Sequence, residues 1–76
     1  MSEDPSDYHN TGDLISRFEQ MIQQNESYYF DVEQLEAIID GYQANLSYQK
    51  AIKALEYAYS LFPDNTALII KEVQLL

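Results

Sequence analysis

The sequence contains no cysteine, which excludes a disulfide framework, a thiolate nucleophile and a cysteine zinc site. Stability must come from packing alone. The only glycines are Gly12 and Gly41, and they lie too far apart to form the glycine-rich loop that cradles a phosphate. A nucleotide site is therefore not expected. Four basic residues stand against thirteen acids, and the net charge of −9 argues against gripping nucleic acid or anionic lipid through a charged patch. No apolar run approaches the roughly 18 residues of a membrane span. The opening residues, Met-Ser-Glu-Asp-Pro-Ser-Asp-Tyr-His-Asn, lack the basic start and apolar stretch of a signal peptide. Together these absences indicate a soluble, cytoplasmic chain. At 76 residues it has room for one small core and too little for most catalytic architectures.

An ordinary apolar fraction of 46%, with seven Tyr and three Phe, predicts a packed fold. Charge is distributed unevenly. Residues 1 to 40 carry ten acids against Arg17 alone, so the whole net charge lies there, while Lys50, Lys53 and Lys71 cancel Glu56, Asp64 and Glu72 in the remainder. Residues 1 to 10 show no apolar periodicity and read as an acidic, disordered leader. His9 within it has no second histidine beside it, so no metal site is expected.

From residue 11 onward the apolar spacing predicts one helical domain. Leu14, Ile15, Phe18, Met21 and Ile22 form a stripe over 12 to 25, turned away from Glu19, Gln20 and Gln23. Asn25 suits a left-handed closing position. Asp31 can cap the next helix, with Gln34 as its capping-box partner. That helix, from Val32 to about Ala44, has Val32, Leu35, Ile38, Ile39 and Tyr42 on its apolar face and Asn45 as its closing residue. Ser47 can cap a third helix whose stripe comprises Tyr48, Ala51, Ile52, Leu55, Ala58, Tyr59 and Phe62, and Pro63 ends it. Asp64 or Asn65 then caps a fourth helix over 66 to 76. Its apolar residues fall on two sides, Ile69, Val73 and Leu76 on one and Leu68 and Leu75 on the other, so it requires neighbours on both. The pattern stops before a second neighbour appears, which leads us to expect a piece of a longer protein.

Residues 32 to 65 span 34 residues as two antiparallel helices and a tight turn. Leu35, Ile38, Tyr42, Tyr48, Ala51, Leu55, Ala58 and Pro63 match the residue types of a tetratricopeptide repeat in register. The segment resembles that family, with Ile39 departing from the pattern where a small residue is usual. Gly41, two residues on, is expected to relieve the crowding. The resemblance makes 12–31 and 66–76 half-units on either side of the complete repeat. Arg17-Phe18-Glu19-Gln20-Met21 and the run from Asn25 to Val32 are also similar to the amino-terminal end of repeat proteins common in Bacteroidetes.

Glu33, Glu36 and Asp40 share one helical face, but no histidine, serine or lysine beside them supplies a nucleophile or base partner, so an enzyme is the least expected class. In the family resembled, ligand peptides lie along the first helix of each pair. That implies a partner-binding face of Glu33, Glu36, Ala37, Asp40, Gln43 and Ala44. Tyr57, on the polar side of the third helix, is the tyrosine expected to be exposed and is added to that face. Tyr28 and Tyr29 are expected to pack over the junction of the first two helices. The acidic sign favours a basic or polar protein segment as ligand.

The expectation is thus an all-α, antiparallel helix-turn-helix stack acting as a non-catalytic protein-interaction module, without cofactor or metal. The alternative is a solenoid end cap or a self-association segment working through residues 66–76.

Overall fold

The computed structural model describes residues 11–76, and the expected acidic leader, with His9, lies outside the described residues. Four helices follow in order, α1 (Thr11–Gln24), α2 (Val32–Ala44), α3 (Tyr48–Leu61) and α4 (Thr66–Leu75), and neighbours pack antiparallel. The expected helices are all present. Their ends have local causes. Asn25 adopts a left-handed φ of 56°, and the N–H groups of Asn25 and Glu26 donate to the carbonyls of Ile22 and Met21, which closes α1. At α2 the capping box is complete. Gln34 N–H donates to Asp31 Oδ1 at 2.9 Å, and Asp31 N–H donates to Gln34 Oε1 at 3.0 Å. Asn65 Oδ1 accepts from the N–H groups of Ala67 and Leu68 and starts α4.

Asn45 and Ser47 stand at the ends expected of them, with their own local geometry. Asn45 caps α2 with a negative φ, and the left-handed residue is Leu46, at φ 61°. The N–H groups of Leu46 and Ser47 donate to the carbonyls of Gln43 and Tyr42, so this two-bond closure holds a leucine where glycine is preferred. Ser47 stands at the N-cap of α3, but its side chain makes no capping bond.

The core comprises Leu14, Phe18 and Met21 of α1, Leu35, Ile38, Ile39 and Tyr42 of α2, Ala51, Ala54, Leu55 and Ala58 of α3, and Leu68 of α4. Phe30, in the α1–α2 connection, is fully buried among them, although no periodicity marks a lone connection residue as core. Phe18 is central. Its ring lies edge-on to Phe30 at 6.1 Å, to Tyr42 at 6.5 Å and to Tyr57 at 5.7 Å. The Arg17 guanidinium covers the Phe30 ring at 5.3 Å.

Apolar periodicity overestimates what α1 and α3 bury. Tyr48, Ile52 and Ile22 are exposed, whereas Ala54, outside the expected stripe, is fully buried. The small side chains of Ala51, Ala54 and Ala58 make the buried stripe of α3 narrow and let it approach α2 closely, leaving Tyr48 and Ile52 on an uncovered flank. Close approach occurs at Gly41 too. A Cβ there would lie 2.6 Å from Thr11 Cγ2 and 2.8 Å from Ile15 Cδ1, so glycine makes room for the start of α1. Ile39, the departure from the repeat pattern, is wholly buried.

Phe18→Ala should lower the unfolding free energy by about 3–5 kcal/mol, because it removes the ring that three others pack on. Tyr29→Ala, at a position 72% exposed, should change it little. Denaturant titration followed by circular dichroism measures both. Ala51→Leu should overpack the α2–α3 contact and cost about 1–3 kcal/mol, whereas Lys53→Leu, of equal helix propensity but exposed, should stay near neutral by the same assay.

Candidate functional site

The expected partner-binding face is built on α2, whose start is fixed by the Asp31 capping box and whose end is fixed by the turn at Leu46. Between these points Glu33, Glu36, Ala37, Asp40, Gln43 and Ala44 recur at helical spacing along one side. Glu33, Asp40 and Ala44 are exposed, and Glu36, Ala37 and Gln43 are half-buried. The structure brings Lys71 of α4 to this row, where its ammonium donates to Asp40 Oδ1 at 2.6 Å. The lysine side chain is only 15% exposed, so the pair ties α4 to α2 and occupies the Asp40 carboxylate. Among the described residues Glu33 and Glu36 make no ion pair.

Tyr57 is not part of this face, and it is not exposed. It lies half-buried against Phe18, and its hydroxyl donates to the Tyr28 carbonyl at 3.1 Å. Phe18 of α1 and the Tyr28 carbonyl in the connection after it cover Tyr57, while Gln49, Lys53, Glu56 and Ser60 of the same polar side stay exposed. Tyr28 packs against the core as expected, while Tyr29 points into solvent.

A second concavity, unmarked by sequence periodicity, opens between α1 and α3 over the end of α2. It encloses about 440 Å³, with Phe18 and Tyr42 lining it beside Ile22, and Lys50 and Lys53 contributed by α3. Glu19 lies within it, contrary to its expected outward position. Tyr42 donates its hydroxyl to Glu19 Oε2 at 2.7 Å, and Lys50 Nζ approaches the same oxygen at 3.4 Å while standing 6.0 Å from the Tyr42 ring centroid. The Tyr42 hydrogen bond holds the Glu19 carboxyl below the usual carboxylate range; partial desolvation opposes this and Lys50 assists it. Burial, then the hydrogen bond to Glu19 and its charge, pushes the Tyr42 hydroxyl up beyond the usual phenol range. One signal in the sequence could have located Glu19. A tyrosine on a buried stripe needs a partner for its hydroxyl, and Glu19 borders the stripe that Phe18 and Met21 place against α2.

Among the described residues no group of three or more His, Asp or Glu side chains is placed to hold a metal ion, and no helix is long and apolar enough to cross a membrane. Compared with protein-family models, with curated proteins and with solved structures, the chain matches none. The established description is a small all-helical domain of four helices.

The Tyr42–Glu19 contact has a definite pH signature. Because the folded pKa of Glu19 is depressed, its contribution is complete above the unfolded value of about 4.3 and disappears as pH falls through the folded value. Tyr42, with its folded pKa raised, contributes fully up to about pH 10 and loses its share above that. Tyr42→Phe keeps the ring and removes the bond, and because Glu19 is partly open to water the cost should be about 1 kcal/mol at neutral pH. Glu19→Gln and Tyr42→Phe should each flatten the acid limb of stability against pH. A double-mutant cycle should show the two effects to be strongly non-additive.

Proposed function

We propose that this domain is a non-catalytic protein-interaction module of tetratricopeptide-like construction, whose α2 row, led by Glu33 and Glu36, receives a basic or polar segment of a partner protein. The observation that carries this reading is the position of α2, which packs against α1, against its hairpin partner α3 and against α4, which the repeat reading aligns with α2 as the first helix of a unit. A helix in contact with both its partner and the corresponding helix of the following unit is what stacked helical hairpins require. Two further features support the reading. Ala51 and Ala58, the small residues of the repeat pattern, are fully buried in α3, and Leu35, Ile38 and Tyr42 are buried on α2.

The same placement determines which charges face a ligand. Asp40 is held by Lys71, so Glu33 and Glu36 are the carboxylates left to meet a cation. Their attraction to a basic segment acts through water and is screened within about 8 Å at physiological ionic strength. A partner recovered by affinity capture and then purified should bind the wild-type chain more weakly as salt rises. The double reversal Glu33→Lys with Glu36→Lys should weaken binding at low salt about tenfold or more while leaving the helical circular dichroism unchanged. Equal affinities for both proteins at both salt concentrations would sink the assignment of this face.

A further inference from the structure

Six of the ten large apolar side chains left exposed among the described residues belong to α3 and α4, and a seventh, Leu76, caps the end of α4. Their arrangement is regular. On α3, Tyr48, Ile52 and Tyr59 share one flank at spacings of four and seven; Tyr48 and Ile52 are 49% and 44% exposed, and Tyr59 is half-buried. Along α4 and its C-cap, Ile69, Val73 and Leu76 form a row at spacings of four and three, with exposures of 47%, 64% and 99%. The Tyr59 hydroxyl donates to Glu72 Oε1 at 2.7 Å, and Glu72 edges the α4 row, so the two apolar rows border one another. Contiguous apolar surface of this kind on a small domain marks a contact site.

We propose that this α3–α4 surface binds a second copy of the chain, forming a two-fold dimer in which the α4 helices run antiparallel. Spacings of four and three are those of a helix–helix seam. In an antiparallel pair centred near Val73, Val73 meets its counterpart and Ile69 meets Leu76 of the other copy, so the row is complementary to itself. Charge favours the same occupant. The net charge of −9 resides in residues 1 to 40, while the charges from residue 41 onward cancel, so the helices that carry this surface bring no net charge repulsion to a contact between two copies. A strongly charged partner would find no excess of either sign on this half of the chain. The proposal stands apart from any ligand on the α2 row, because neither Glu33 nor Glu36 lies on this surface.

Sedimentation of the 76-residue chain from micromolar to millimolar concentration should show the mass rising from 8.8 kDa toward twice that value. Val73→Glu and Ile52→Glu should each raise the dissociation constant at least tenfold, whereas Ile22→Glu, at an equally open site on α1, should leave it unchanged. The absence of native cysteine permits a second readout that does not depend on tolerance of a buried charge. Under mild oxidation, Val73→Cys should form disulfide-linked dimers at least tenfold faster than Glu33→Cys. A monomer throughout the concentration range, equal effects of Ile22→Glu and Val73→Glu, or equal cross-linking of the two cysteine variants would each overturn the proposal.

Discussion

The structure depends on one aromatic contact set, the ring of Phe18 with Phe30, Tyr42 and Tyr57 in edge-on contact. These partners come from the α1–α2 connection, from α2 and from α3, so a single side chain joins three separate segments. Burial of several aromatic rings supplies a large share of the apolar area that a chain this short can remove from water. The arrangement also orients the polar tips. Tyr42 is held with its hydroxyl on Glu19, and Tyr57 with its hydroxyl on the Tyr28 carbonyl, so the hydrogen bonds follow from ring positions that packing determines.

Features controlled by neighbours in sequence were legible before the structure. Asp31 with Gln34, Asn25, Pro63 and Asn65 act through the backbone within a few residues, and each marks the terminus expected of it. Features decided by distant packing were not. Periodicity identified the buried side of α3 but not its width, because nothing in a stripe of Tyr48, Ala51, Ile52 and Leu55 shows that Ala51 and Leu55 are buried while Tyr48 and Ile52 stay exposed. Tyr57 was misplaced because the flank of α3 bearing Lys50 and Lys53 looks solvated, although Phe18 of α1 packs on Tyr57 itself. Phe30 was missed because a single residue in a connection has no period, and Leu46 because nothing local requires a leucine to turn left-handed.

The candidate site divides in the same way. The row from Glu33 to Ala44 was visible as a row, since helical spacing alone defines it. That Asp40 is occupied by Lys71 was not, because the pair joins residues 31 positions apart and exists only where α4 lies beside α2. The concavity between α1 and α3 was equally hidden, being formed by two helices that are not adjacent in the chain. Electrostatics then separates the surfaces. The acidic first half presents the Glu33 and Glu36 carboxylates on α2, while the balanced second half presents the apolar flank of α3 and α4.

The position of α2 at the centre of the packing affects how the chain reaches this state. Every connection is short, residues 25–31, 45–47 and 62–65, so the entropy lost in closing each is small. Nearly all packing is between consecutive helices, the α2–α4 contact being the main exception. Such local topology allows folding in roughly microseconds to milliseconds, with few unproductive encounters to undo. Because α1, α3 and α4 all need α2 as their template, its capped and self-closing ends do more than finish a helix. They hold in place the surface on which the other three assemble.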